Sequence, residues 1–585
     1  MANSMGSLYI GANGLKSAQN AINTTANNLT NVDTTGYVRQ QVVFADRNYL
    51  TFANASISKQ QSGLGVTIGD VVHTRDQFLD QSYRSEYGRE AFYAAYYDAV
   101  DEIETYFQEM EGEAFQDSID NFKVAMETLA NDPSDSVNQN LVIQKASMFL
   151  SRAQSVYTSM QQYQSNINTQ ISDDIDRINE LGKTIYDLNL KIQKVESGGT
   201  ETAMTLRDER DAALDELAGL VKINYSEDVN GVVSVDVEGT RFVDEAHCFE
   251  MGKLTDKETG FITAYWPYLS DTDNGVVENV FDFGIDISAD LNTDKGELKA
   301  LLAARGDKIT TYRDNLYAED GSDLTADEYD NTLGMSVMEA VEAELDTLVH
   351  GIITSINDAL CPNTTLNDLG VLTGSGTLTV TDAEGNSYML DANTKVLDQE
   401  NCYVGSDGKI PPRELFTRVG CERYTEVTDA AGNTYYLYNE ESTTDTSKMY
   451  TTGSVSVNEE LTTQPSLLGG YLQNGEVAYE MGDALSAIWE KTDLILNPTD
   501  TESVTFENYY NKIINSLAST GDVFSAQATS LDGTVLTIDN QRQQVIGVSS
   551  DEELSNLIKY QNAYNASSRF MNVISEMMET IITGL

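Results

Sequence analysis

Imidazole and thiol chemistry in this chain is confined to three histidines, His73, His247 and His350, and four cysteines, Cys248, Cys361, Cys402 and Cys421. His247 adjoins Cys248, too near along the chain for the usual nucleophile–base pair, which needs the two side chains to face each other across a site. No two cysteines form a C-x-x-C pair, so a zinc site has no signature. G-x-S-x-G, H-E-x-x-H and phosphate-loop patterns are also missing. Asp290, Asn292 and Asp294 imitate the start of a calcium loop, but the glycine, Gly296, comes one place late and Leu301 stands where the closing acid belongs. The 93 carboxylates guarantee chance pairs, and nothing singles out two of them for acid–base work. The expectation is a protein with no catalytic, metal or cofactor site.

Charge points the same way. Lys and Arg total 36 against 93 Asp and Glu, a net charge of -57 over 585 residues. Such a surface repels nucleic acid. Residues 1–50 carry a net +1 and residues 536–585 a net -3, leaving about -55 on the middle. Nearly neutral ends suit segments that pack against copies of themselves, since like charges in a poorly hydrated contact repel strongly. The start, Met1–Gly6, lacks a basic and apolar leader pattern, and no run of about 18 apolar residues exists, so no membrane insertion is expected. The thiols are expected to be ordinary buried groups, with one or two disulfides the alternative in an exported protein.

The elements that position the chain begin with its ends. Leu8, Gly11, Leu15, Ala18, Ile22, Thr25, Leu29 and Val32 alternate spacings of three and four, a heptad stripe on a helix that should end near Gly36. Its other faces are rich in Asn, Gln and Ser, and up to Gly36 only Lys16 and Asp33 are charged. At the other end Leu554, Leu557, Gln561, Tyr564, Ser568, Met571, Ser575, Met578 and Ile582 repeat the pattern after a capping start at Ser549–Glu553. The two helices are expected to pair as a coiled coil that also touches neighbouring subunits. The proposed assembly residues are Leu8, Leu15, Ile22, Leu29, Val32, Leu554, Leu557, Tyr564, Met571, Met578 and Ile582.

Between the ends, residues 78–221 read as helix. Asn131–Ser134 breaks the pattern, and a run from about Ser136 to Glu196 holds Ile171, Ile178, Ile185 and Ile192 seven apart. Ser197-Gly198-Gly199 ends it, and a further helix covers Thr205–Val221. Residues 223–285 switch to a period of two, helical patterns return at 296–315 and 337–359, and residues 361–480 are β-rich. That last region contains a repeat: Val380–Leu390 matches Val427–Leu437 at eight of eleven positions, each copy with a Gly-Asn turn between strand-like runs. The fold class is therefore a multidomain α+β chain. Residues 1–50 pair with 536–585; residues 51–222, 296–360 and 481–535 form a helical rod; residues 223–295 and 361–480 form outer β-rich domains.

Two motifs carry a resemblance. Ala26-Asn27-Asn28-Leu29-Thr30-Asn31-Val32-Asp33-Thr34-Thr35-Gly36-Tyr37 resembles the N-terminal signature of the flagellar axial protein family, with Thr35 where proline is usual. Asn556–Arg569 is similar to the same family's closing motif. The length, the long helices and the Leu206–Leu217 run are similar to the family's junction subunits between hook and filament. The resemblance implies a structural subunit outside the cell, sent through the flagellar type III export channel, with terminal helices that fold together on assembly. It also implies four partners: the hook protein, hook-associated protein 3, an export chaperone and copies of the chain itself. Another axial protein of hook or rod type is the alternative, as is an axial scaffold carrying an adhesin or enzyme domain at 361–480.

Overall fold

The computed structural model describes residues 2–34, 36–46, 50–55, 58–107, 115–198, 202–318 and 320–583. Thr35 and Gly199, which the sequence reading places at helix ends, lie outside these. The first helix, α1 (Ala2–Thr30), leads into two antiparallel pairs: β1 (Gln40–Asp46) with β4 (Val66–His73), and β2 (Leu50–Ala55) with β3 (Ser58–Ser62). The rod follows as α2 (Gln77–Phe107), α3 (Phe115–Asn131), α4 (Ser136–Glu196) and α5 (Met204–Leu220). Residues 51–55, 58–62 and 66–73, expected to belong to the helical rod, are thus strands. The β-branched residues Val66, Thr67, Ile68, Val71 and Val72 favour a strand, and the helical pattern begins only at Gln77.

α4 is 61 residues long, about 90 Å at 1.5 Å per residue. Its isoleucine heptad faces inward: Ile171, Ile175, Ile178, Ile185 and Ile192 are fully buried. Asp135 caps it by accepting the Val137 N–H. Helices α2 and α5 cross so closely that a Cβ on Gly88 would sit 2.5 Å from the Ala218 carbonyl oxygen, a position only glycine can fill.

Beyond α5 come β5 (Ile223–Glu227), β6 (Val233–Val237) and β7 (Thr240–Val243) in one antiparallel sheet, then the hairpin β8 (Gly252–Thr255) and β9 (Ile262–Tyr265). The chain returns to the rod through α6 (Glu297–Arg305), α7 (Tyr312–Leu316), α8 (Ala326–Asn331) and α9 (Val337–Leu360). The outer region holds β10 (Asn363–Thr365), β11 (Leu378–Asp382), β12 (Ser387–Leu390), β13 (Lys395–Leu397), β14 (Phe416–Arg418), β15 (Tyr424–Asp429), β16 (Thr434–Tyr438) and β17 (Val455–Val457). Six of these form one sheet in the order β10-β13-β16-β15-β11-β12, and both repeated segments are the expected hairpins. This sheet has a small core of its own, made of Leu366, Val380, Leu390, Val396, Val427 and Tyr435. The chain closes with α10 (Glu459–Thr463), α11 (Tyr479–Ile488), α12 (Phe506–Ile546) and α13 (Ser550–Thr583). Because α12 is unbroken, the expected boundary at 535/536 falls inside a helix that packs along α2, with Tyr96 and Phe524 stacked at 4.3 Å.

α9 carries acids where its period demands apolar groups. Glu342 is fully buried, accepting from the Thr310 N–H at 3.3 Å and the Gln164 amide at 3.5 Å, and burial pushes its carboxyl up to about 8. A carboxyl raised in the folded state favours the protonated form. Its contribution is complete below the ordinary value near 4.5 and is lost as pH rises through about 8. Glu342→Gln should therefore flatten the fall in stability between pH 5 and pH 8.5, recovering on the order of 2 kcal/mol at the alkaline end. Denaturant melts at the two pH values check this; parallel pH profiles for both proteins would refute it.

Candidate assembly interface

Helix α1 and helix α13 lie antiparallel along each other. The line of closest approach on α1 is built from small residues: Gly11, Gly14, Ala18, Ala21, Thr25 and Asn28, again at spacings of three and four. A Cβ on Gly11 would meet the Met571 side chain at 2.7 Å, and one on Gly14 would meet Ser567 Oγ at 2.8 Å. On α13 the facing residues are Leu557, Tyr560, Tyr564, Ser567, Met571, Ile574 and Met578, all half-buried.

Of the residues proposed from the heptads, Leu557, Tyr564, Met571 and Met578 lie on this inner line. Leu8, Leu15, Ile22 and Leu29 flank the α1 seam, half-buried. Val32 is exposed and sits in the turn after α1, while Leu554 and Ile582 are 46% and 73% exposed. Further α13 side chains, Ile558, Phe570, Val573, Met577 and Ile581, are also exposed. Close helix approach through small residues leaves the larger apolar groups facing outward.

One polar clasp fixes where the two helices meet. Asn28, 1% exposed, donates to the Gln40 carbonyl at 2.9 Å and to Glu553 at 3.1 Å. Its side-chain oxygen accepts the Tyr37 hydroxyl at 2.9 Å and the Gln40 N–H at 3.1 Å. Arg39 reaches Glu552 and Glu553, each at 2.9 Å. Thus Asn28 and Tyr37 of the N-terminal signature fold its loop back and hold the first turn of α13.

Beneath the clasp the chain crosses between the terminal pair and the rod, and backbone bonds stitch the crossings: Arg39 N–H to Ile546 carbonyl, 2.9 Å, and Thr74 N–H to Arg39 carbonyl, 3.1 Å. Asp208 on α5 accepts the Val38 N–H and lies 3.5 Å from His73 Nδ1. Burial pushes Asp208 up to about 7 and His73 down to about 4. A charge lock lies alongside. Arg84 holds Asp211 (3.2 Å) and Asp215 (2.6 Å), Arg542 holds Asp80 (2.7 Å) and Asp215 (2.5 Å), and Arg75 holds Asp80 and Asp211. Sequence reasoning missed this lock, although two of its carboxylates, Asp211 and Asp215, stand in the Leu206–Leu217 segment.

Several residues weighed for chemistry have partners within the fold. Asp294 is held by Arg89 and Tyr93. His350 pairs with Glu441 at 3.0 Å beneath Tyr312. All four cysteines are free thiols, Cys361 and Cys402 buried. Among the described residues no group of His, Cys, Asp and Glu is arranged to hold a metal, and no helix is long and apolar enough to cross a membrane.

Comparison with known proteins agrees with this geometry. The family model described as the flagellar hook-associated protein FlgK helical domain matches residues 100–371. Models of the flagella basal body rod protein and of the basal body rod FlgEFG C-terminal region match residues 8–37 and 540–584, the two segments that pair here. Flagellar hook-associated protein 1 of Bacillus subtilis is 23% identical over 98% of this chain and 96% of its own length. Those of Salmonella typhimurium and Escherichia coli are each 22% identical over 97% of this chain and 98% of theirs. The flagellar hook junction protein FlgK from Burkholderia pseudomallei aligns with a TM-score of 0.49 at 12% identity, covering 79% of this chain and all of that one. The terminal pair and the rod it is rooted in are those of a flagellar axial protein, a structural component of the extracellular flagellum. Within that class the chain belongs to the flagellar hook-associated protein 1 family, the hook–filament junction proteins.

Proposed function

We propose that the chain performs its junction role through the paired terminal helices, which form a short coiled coil and dock onto neighbouring subunits by their outward apolar groups. The carrying observation is the α1–α13 seam: small residues inside, Leu8, Leu15, Ile22 and Leu29 beside it, and Leu554, Ile558, Val573 and Ile582 exposed. Head-to-tail contacts of that kind propagate without closing on themselves, as an axial lattice requires. The near-neutral ends let copies approach, while the acidic middle faces water. The partners on this reading are copies of the chain, the hook protein on one side and hook-associated protein 3 on the other, with an export chaperone covering α13 before assembly. No turnover is part of the role.

Removing residues 551–585 should leave cells with hooks but without attached filaments, and the double change Ile558→Glu, Val573→Glu should do the same while sparing the α1–α13 contact. Counting filaments per hook by electron microscopy decides it. Normal attachment in either strain would sink the proposal.

A further inference from the structure

We propose that the outer edge of β12 is a docking site for an extended, neutral or basic strand of another polypeptide. The argument starts from the duplicated hairpins. Their registers coincide: Val380 faces Tyr388 as Val427 faces Tyr435, and Leu378 faces Leu390 as Thr425 faces Leu437. The two copies join through β11 and β15, where Thr381 lies opposite its own duplicate, Thr428, and Val380 and Asp382 lie opposite Asp429 and Val427. A local two-fold axis therefore passes through the Thr381–Thr428 pair, and it maps β12 onto β16.

The symmetry is broken at the edges. β16 carries β13 as an antiparallel neighbour, with Val396 opposite Leu437, whereas β12 pairs only with β11 among the described residues. Leu390 is the duplicate of Leu437. The same edge has thus been built twice, once filled and once open.

The open edge is equipped to take a strand. The Asp382 N–H donates to the Asn386 carbonyl at 3.0 Å, closing the turn. Counting from that bond, the alternation of an antiparallel ladder turns the backbone groups of Ser387 and Met389 away from β11. Ser387-Tyr388-Met389-Leu390 contains no charge and no proline, the usual guards of an exposed edge, and Met389 is 75% exposed. Main-chain pairing supplies the affinity in such strand addition, and alternate side chains supply selectivity.

The filled copy describes the occupant. β13 brings a β-branched residue, Val396, to the pairing position, and its Lys395 lies 3.4 Å from Glu440 and over the Tyr438 ring at 5.8 Å. A second copy of the chain is disfavoured by the net charge of -57 on each molecule. A strand resembling β13 from a different polypeptide meets no such repulsion.

The probe is a peptide copying residues 392–399 with blocked ends, titrated by fluorescence polarisation against the full-length protein. Saturable binding is expected, at least tenfold weaker to the Met389→Pro variant. That change deletes the outward N–H while leaving the ladder to β11 intact, as edge prolines do. Met389→Lys, which keeps the backbone donor but guards the edge with charge, should also weaken binding, and a peptide with Leu397→Pro, which lacks the N–H that would face Met389, should not bind. No saturable binding at millimolar peptide, equal binding to the wild type and both variants, or wild-type self-association lost on Met389→Pro would each overturn the proposal.

Discussion

Replacing Asn28 with alanine is expected to unfasten the terminal helices and abolish filament attachment while leaving the rod folded. The side chain makes four hydrogen bonds in a nearly water-free place, to both backbone groups of Gln40, to Tyr37 and to Glu553. Alanine would remove all four bonds, leaving both Gln40 groups without this partner while Glu553 keeps Arg39 and Tyr37 keeps Asn27, and each buried group left unmade costs about 1–3 kcal/mol. Little else opposes that loss. The seam between α1 and α13 is lined by glycine, alanine and threonine on one side, and Glu553 is the one fully buried residue among the described positions of α13. A total of about 3–5 kcal/mol, after partial rehydration of the partners, exceeds what such a seam can supply. Asn28→Asp should be worse near neutral pH, because it sets a second carboxylate about 3 Å from Glu553. A cysteine pair at Gly14 and Ser567 gives a direct readout: the Cβ built at Gly14 lies 3.5 Å from Ser567 Cβ, within the range a disulfide spans. In assembled flagella the pair should crosslink on the otherwise unaltered background. It should fail to crosslink with Asn28→Ala, and filaments per hook should fall at least tenfold. Undiminished crosslinking would show that the clasp does not set the pairing.

That clasp marks the limit of what could be read along the chain. The long rod helix was legible because Ile171, Ile178, Ile185 and Ile192 repeat a single large residue type, and large buried residues have one plausible side. The duplicated hairpins were legible because Gly385-Asn386 and Gly432-Asn433 specify the turn whatever surrounds it. In α1 the heptads of leucine and of small residues run side by side, so periodicity finds the helix but cannot tell which stripe lies innermost. Gly11, Ala18 and Thr25 of the expected stripe are on the seam, but Gly14, Ala21 and Asn28 complete it, and the leucines are displaced to its flank. The acids of α9 defeat pattern reading for a different reason. Glu342 and Asp346 are buried because segments distant in sequence deliver donors to them, such as Thr452, 106 residues on, donating to Asp346. The charge lock is invisible for the same cause: Asp80, Asp215 and Arg542 meet only in three dimensions.

That lock carries the other large effect, expected for Arg542→Met. Arg542 lies one turn before Ile546, the last residue of α12, and is 7% exposed. It joins Asp80 on α2 to Asp215 on α5 and covers the Tyr83 ring at 4.7 Å. Taking one partner from a buried network leaves carboxylates without compensation and typically costs about 3–5 kcal/mol, far more than an exposed pair. Methionine keeps the apolar stem of the side chain, so most of the loss would come from the charge and its hydrogen bonds. Asp215→Asn in the same molecule should restore part of it, giving a coupling in a double-mutant cycle of more than about 1 kcal/mol. Denaturant unfolding of the full chain measures both. The functional consequence differs from that of Asn28→Ala. The terminal pair itself keeps its clasp, so the Gly14–Ser567 crosslink should persist. Yet the pair loses the tie that fixes its direction relative to the rod, because Arg542 and Arg75 stand on two of the passages between them. Filament attachment should therefore fall even where crosslinking is complete. A junction subunit has to hold one set of neighbours at a defined angle to another, and a pair that is formed but free to swing does not meet that demand. Full attachment in the Arg542→Met strain would mean that the backbone stitches at Arg39 and Thr74 are enough to hold the angle, and that the buried charges serve the stability of the rod alone.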